Sequence, residues 1–441
     1  MHRYFLRSFQ KLSAQILLSA LLFWAVGGTA WATDLSAQSA FKRLRPSVVE
    51  IRIEVKGNRG TSAGASGFVA FRPDLVVTNY HAVTEALYEP AQHRISVVTA
   101  GTEQIEARIL ALDVVNDLAL LQLEKSPGLP LLPLRSSRPA RGEIGFSMGK
   151  PGGFEVGIVS GTFNGVMNDD PKTLLVFSGA INRGMSGGPM FDAQGQVVGV
   201  NVATSTRHQL VGMAVPAEAL LKLYKGIDGG EPPDQQSLLK QVASQAVQFG
   251  QHQVQAMESS PTPERTLGPF TVRGDLNKDN PCRTEHSADA SRPYVELEQV
   301  CNAGVGVWLM PGRSAGRINS ESVWLSSSSL SPWQMSNLLE RRLNSTRELP
   351  ESQRSTPAWK CRQQSMQNVE ALPLLVYGCR RPVKHLPGLH DYRFRYVSKV
   401  QGPNALLVSL DLTGMDEKTA QAALLLVMKT SRWQPATKAA P

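Results

Sequence analysis

The sequence predicts an all-β domain of two tandem β-barrels followed by a smaller, disulfide-bonded α+β domain. Three observations carry this. Short β-type runs follow one another from about Ser47 to Thr204 with Gly, Pro, Asn and Asp between them, and a stretch rich in Pro and charge, Glu124 to Glu143, divides them into halves. All four cysteines lie in the C-terminal part of the chain. Regularly spaced strands separated by turn residues indicate sandwiches or barrels rather than parallel βαβ units.

The chain opens with "MHRYFLRSFQKLSAQILLSALLFWAVGGTAWATD", in which Arg3, Arg7 and Lys11 precede an apolar run from Ile16 to Val26 and the small-x-small triplet Ala30-Trp31-Ala32. This reads as a secretory signal peptide over residues 1–32, cleaved after Ala32. The apolar run is short for a membrane span. Loss of those three cations takes the formal net charge from +9 to +6. No basic and aromatic stripe argues for nucleic acid. The expected location is outside the cytoplasm, in a bacterial periplasm or secreted.

The first half of the β region contains "VVEIRIEV", "GFVAF", "LVVTNYHAV", "RISVV", "IEARILAL" and "LALLQL"; the second contains "GIVSGTF", "LLVFSG" and "VVGVNVAT". "VPAEALLKLYKG" then has helical spacing, with Gly226 placed to cap it, and closes a domain spanning residues 40–226. Residues 227–266 are rich in Gln, Ser and Pro and read as a linker carrying a thin helix between flexible ends.

Residues 267–438 read as a possible duplication, with units 267–348 and 349–438. Each has a cysteine, a strand ending in a second cysteine, two further strands and a helix, and "SPWQMSNLLERRLNS" offers Ser331 as N-cap with Pro332 in the first turn. If each unit closes its own loop, the disulfides are Cys282–Cys301 and Cys361–Cys379. None of these cysteines has the C-x-x-C spacing of a zinc or redox site. No metal or other cofactor is expected.

The chemistry starts at "INRGMSGGPM", Ile181 to Met190. Gly184-Met185-Ser186-Gly187-Gly188 satisfies the loose G-x-S-x-G pattern of a hydrolase elbow, but that elbow needs a helix straight after the serine. Here Gly187, Gly188 and Pro189 follow, and then a hairpin pattern, so the serine sits on a tight loop of a β-protein. A serine hydroxyl is a poor nucleophile until a base accepts its proton. "VVTNYHAV" offers His81 at a strand end, and "LDVVNDLALLQL" offers Asp117, with Asp113 as the competing carboxylate. Asp117 directly precedes the apolar strand and is better placed to face inward, where an imidazole N–H would offset its burial cost.

The order His81, Asp117, Ser186 is the chymotrypsin-type order. Together with "SGFVAF", "LVVTNYHAV", "NDLALLQL", "GIVSG" and "AINRGMSGGPMFDAQGQVVGVNVAT", it makes residues from about 40 to 225 resemble the trypsin-like serine peptidases of the HtrA/Deg type. The resemblance implies a chymotrypsin-like double barrel with the triad in the crevice. It assigns Ser186 as nucleophile, His81 as base, Asp117 as its partner, and the N–H groups of Gly184 and Ser186 as oxyanion hole. It also places Ala180 at the floor of the specificity pocket, beside Ser178 and Gly179. Proteins of this type usually carry a PDZ domain, but the nearest match, "TLGPF" at Thr266 to Phe270, has Pro269 where such a loop needs an N–H.

The function expected is therefore an exported serine endopeptidase acting on polypeptides, with a possible protein partner at the C-terminal domain. The alternative is a polypeptide-binding or chaperone-like envelope protein of protease fold with little turnover.

Overall fold

The computed structural model describes residues 36–434 except 58–60, 153, 170, 205–209, 228, 260–263, 279, 288–290, 305, 345–356 and 369–371, so the signal-peptide segment lies outside the described residues. Helix α1 (Ala37–Leu44) is N-capped by Ser36, whose Oγ accepts from Ser39 N at 3.2 Å. Its Ala40 and Leu44 are buried against both barrels.

Strand β1 (Val48–Val55) buries Val49, Ile51 and Ile53 while Glu50, Arg52 and Glu54 stay half-buried. This period of two is what one barrel wall requires. With β2 (Thr61–Val69), β3 (Leu75–Thr78), β4 (His93–Val98), β5 (Gln104–Asp113) and β6 (Leu118–Leu123) it forms a closed antiparallel barrel in the order β1-β2-β3-β6-β5-β4. A short helix α2 (Thr84–Tyr88) follows the third strand. The second barrel repeats this order: β7 (Ile144–Gly149), β8 (Gly157–Asp169) and β9 (Lys172–Phe177) are followed around the wall by β12 (Gly212–Pro216), β11 (Val197–Thr204) and β10 (Pro189–Asp192). Phe68, Val77 and Leu120 of the first barrel share one core with Phe146, Met148 and Val200 of the second. Helix α3 (Ala217–Lys225) ends at Gly226, as the sequence predicts, and buries Ala217 and Leu220.

The segment expected as a linker is a structural spine. It contains helix α4 (Gln235–Ser259), 25 residues long, whose Leu238, Val242, Ala246 and Phe249 enter the core of the first barrel. Val254 and Met257, further along, enter the core of the C-terminal domain. Its many glutamines mask a buried stripe spaced three to four residues apart, the spacing of one helix face.

The "TLGPF" stretch is a tight hairpin, β13 (Arg265–Leu267) and β14 (Phe270–Val272), with Gly268 at φ +57°. Beyond it lie β15 (Arg283–Ser287), β16 (Val295–Asn302), β17 (Val307–Met310), β18 (Arg313–Ala315), β19 (Ile318–Ser326), α5 (Pro332–Asn344), β20 (Lys360–Gln367), β21 (Pro373–Pro382), β22 (His390–Ser398), β23 (Asn404–Met415) and α6 (Glu417–Lys429). Seven strands make one antiparallel sheet, in the order β15-β16-β19-β23-β22-β21-β20. Ser331 caps α5 reciprocally: its Oγ accepts from Gln334 N, and its own N–H donates to Gln334 Oε1.

Both disulfides are those the sequence predicts. Cys282–Cys301 and Cys361–Cys379 each tie a hairpin at one edge of the sheet, with Cα atoms 4.4 and 4.0 Å apart. Support for a duplication goes no further than these hairpins. Ala405 and Leu407 of β23 face α5 while Leu406 and Val408 face the core that holds α6, so the two helices cover opposite sides of the sheet. The expected counterparts β17 and β22 differ as well. β22 lies inside the sheet, whereas β17 leaves it and pairs only with β18.

Candidate active site

Strand β3 ends at Thr78, and the chain then turns through Asn79 and Tyr80 into a short 3-10 turn starting at His81. Asp117 holds this turn from the start of β6. Its carbonyl accepts from Tyr80 N at 3.2 Å and Asn79 Nδ2 at 2.8 Å, and its Oδ1 accepts from His81 N at 2.9 Å. Its Oδ2 lies 2.7 Å from His81 Nδ1. A carboxylate only accepts, so Nδ1 carries the proton and Nε2 is the basic nitrogen. Asp117 reaches this position with φ +56°, an uncommon conformation for a residue with a side chain.

The competing Asp113 has another task. Its carboxylate accepts from Asn116 N at 2.9 Å and Asn116 Nδ2 at 2.7 Å, fixing the turn that delivers Asp117.

Burial lowers the pKa of His81, but the negative charge of Asp117 and the hydrogen bond to it outweigh this, and Lys172 opposes them only weakly. The imidazole is held above its ordinary range. Its side chain keeps 34% of its surface exposed, enough to meet a ligand.

Ser186 sits on a loop clamped from both barrels. Gly187 N donates to Asn201 O and Asn201 N to Gly188 O, at 2.8 and 2.9 Å, joining the loop to β11. The buried Asn201 side chain adds bonds to Met148 O and Met185 O. From the first barrel, Ser66 N donates to Ser186 O at 2.8 Å. Gly187 has φ +82°, and a Cβ there would stand 2.2 Å from Ser66 O and 2.4 Å from Thr78 Oγ1, so only glycine lets the loop approach the strand end that carries His81. The Ser186 hydroxyl donates to Val202 O at 3.1 Å, and Val202 lines the same cavity as His81 and Asp117.

Gly184 has φ +92°, with its carbonyl accepting from Ser66 Oγ at 2.6 Å. The preceding carbonyl, Arg183 O, accepts from Gly152 N at 3.1 Å. In a trans peptide N–H and C=O point opposite ways, so the Gly184 N–H is directed away from Gly152.

Ser178, Gly179 and Ala180 follow β9. Ser178 is exposed and receives a hydrogen bond from Asn164 Nδ2, Gly179 is buried against the Phe177 ring, and Ala180 is half-buried. None of the three lines the cavity at His81. Sequence reasoning passed over Ser66, Asn79 and Asn201, whose roles come from hydrogen bonds to backbone distant in sequence and leave no periodic signal. It also missed Trp308 of β17, whose ring meets the His81 ring edge-on at 6.1 Å.

A family model for the trypsin-like peptidase domain matches residues 65–200. The chain is 31% identical to a Bos taurus protein named serine protease HTRA2, mitochondrial, with 42% of each chain covered. It is 32% identical to protease Do-like 5, chloroplastic, of Arabidopsis thaliana, over 41% of this chain and 66% of that one. It is also 32% identical to a probable periplasmic serine endoprotease DegP-like of Hahella chejuensis, over 38% and 36%. A solved M. tuberculosis protease, Rv3671c in its active form, is 24% identical over 44% of this chain and 87% of its own, with a TM-score of 0.39. The chain spans less than half the length of the first of these relatives. The matched model falls within the two closed barrels, so residues 65–200 are a trypsin-like peptidase domain, and the chain is similar to serine proteases of the HtrA and DegP-like type.

Proposed function

We propose that the protein is an exported serine endopeptidase whose triad is His81, Asp117 and Ser186. The observation that carries this is the 2.7 Å contact between His81 Nδ1 and Asp117 Oδ2, beside a serine loop clamped onto the same strand end. A His–Asp pair alone could be structural. A pair that leaves Nε2 basic and the imidazole half-buried, with a glycine-defined serine loop clamped onto the same strand end, has the parts of nucleophilic catalysis.

In the reaction, the Ser186 hydroxyl turns from Val202 O toward His81 Nε2, gives up its proton there, and Oγ bonds to the carbonyl carbon of a substrate peptide. The N–H groups of Gly184 and Ser186 receive the oxyanion. The C–N bond then breaks as His81 returns the proton to the leaving amine, and water hydrolyses the ester by the same route. Asp117 stays ionised, holds the tautomer and stabilises the imidazolium.

Export rests on the N-terminal signal pattern and on the periplasmic naming of the DegP-like relatives. No helix among the described residues is long and apolar enough to cross a membrane. The test is to incubate the mature protein with an unfolded polypeptide and, separately, with a fluorophosphonate probe. Labelling at Ser186 and appearance of cleavage fragments are expected; an unlabelled Ser186 with an intact substrate rejects the proposal.

A further inference from the structure

Strand β17 has left the large sheet, and its alternation explains where it went. Val307 and Leu309, 5% and 0% exposed, lie in one core with Ile51, Val83 and Leu121 of the first barrel and Phe249 of α4. Leu309 O accepts a 2.7 Å hydrogen bond from the buried Tyr80 hydroxyl, one residue before His81. The hairpin is thus a built part of the peptidase domain's core, contributed by the C-terminal domain.

Between these two buried residues, Trp308 points the other way. It remains 37% exposed and presents its ring edge-on to His81 at 6.1 Å and to Tyr80 at 6.0 Å. In front of it opens a cavity of about 490 Å³ whose lining includes His81, Asp117, Lys172, Met167, Val202 and Trp308. That volume lies in the range of ligand pockets, roughly 300–1,000 Å³. Met167, 39% exposed, forms another apolar wall. Exposed apolar residues scattered singly are ordinary, but Trp308 and Met167 face one shared cavity beside His81.

We propose that Trp308 is a specificity-determining residue: the C-terminal domain supplies one wall of the subsite beside His81, and this subsite takes a large apolar side chain of the polypeptide substrate flanking the scissile bond. The inference rests on the endopeptidase reading. A plug would fill the space it blocks, whereas here the cavity stays open and His81 keeps 34% of its side-chain surface. The C-terminal domain is then part of the active site, and the enzyme chooses between substrates through a residue 227 positions downstream of the base.

The experiment uses the full mature chain and its Trp308→Ala and Trp308→Phe variants. Fluorophosphonate labelling of Ser186 is read first, then kcat/KM on peptides that differ only in having Ala, Leu or Phe at each position flanking the cleaved bond. A small probe does not need the subsite, so its labelling reports whether Ser186 still reacts in each variant. At one flanking position, W308A should lose about tenfold or more for Leu and Phe and little for Ala, with W308F between. A uniform loss, no loss, or a gain for all peptides overturns the inference, the last pointing to a plug. Failure of the wild type itself to label strikes the endopeptidase reading instead. If W308A alone fails to label, W308F decides: a selective loss for Leu and Phe supports the subsite, and an unchanged profile rejects it.

Discussion

The Tyr80 hydroxyl donates to Leu309 O across 2.7 Å, joining the residue before His81 to a strand 229 positions away, with Tyr88 Oη 3.1 Å off on its other side. Burial pushes the Tyr88 phenol up to about 12, and Tyr80 is raised as well, so both stay neutral and keep their protons for hydrogen bonding. Tyr80→Phe leaves a buried carbonyl unpaired. The expected loss is about 1–3 kcal/mol of stability, read from the denaturant midpoint, together with a lower kcat/KM. Unchanged stability would show that the hairpin is held by its apolar contacts alone.

Ser186→Ala should retain the fold, since the loop is clamped through backbone groups that alanine keeps. Turnover should fall by roughly three or more orders of magnitude. Circular dichroism and peptide cleavage check both halves, and equal cleavage by variant and wild type would remove Ser186 from the mechanism.

The pH dependence follows from the direction of the His81 shift. Only neutral imidazole accepts the serine proton, and Asp117 holds the protonated form to higher pH, so activity is lost as pH falls through a pKa above the ordinary value. The ascending limb of kcat/KM should therefore lie above about 6.5. Asp117→Asn should cut kcat by about 10⁴, because the tautomer is no longer fixed, and move whatever limb remains downward. A limb below the ordinary imidazole value in the wild type contradicts the assignment of His81 as the base.

If Ser178, Gly179 and Ala180 floor the specificity pocket, as the family resemblance implies, no carboxylate of theirs awaits a basic side chain there. Cleavage is expected after small or medium apolar residues such as Val, Ala or Leu. Mass-spectrometric mapping of the cut sites decides; a predominance of Lys and Arg refutes the pocket assignment.

Each disulfide closes a hairpin at an edge of the seven-stranded sheet, with separations of 19 and 18 residues. Each stabilises by about 3 kcal/mol in the chain-entropy view. Reduction should loosen the C-terminal sheet first, and hydrogen exchange should show its strands opening while β1 to β12 stay protected. Simultaneous opening of the barrels would mean that the shared core around α4 transmits the loss.

Much of the peptidase domain was legible because its determinants are local. "VVEIRIEV" carries the two-residue period of a barrel wall, "LALLQL" reads as a strand buried on both faces, and Gly187 and Gly188 beside Ser186 encode a turn that other residues cannot make. The cysteine pairs were legible too, since hairpin partners are close in sequence. Asp113 and Asp117 could only be ranked by their place along the strand; what separated them was the turn geometry, which gives one carboxylate to Asn116 and the other to His81. The glutamine-rich 227–266 segment misled because composition hides a buried helix face when polar residues fill the rest of the turn. The sequence by itself determined the barrels, the serine loop and the triad candidates, all set by short-range pattern. Only the tertiary structure decided that β17 leaves its sheet, buries Val307 and Leu309 in another domain's core and turns Trp308 toward His81. An apolar strand reads the same whichever core it joins, and the choice between cores is made by the complementarity of surfaces far apart in the chain.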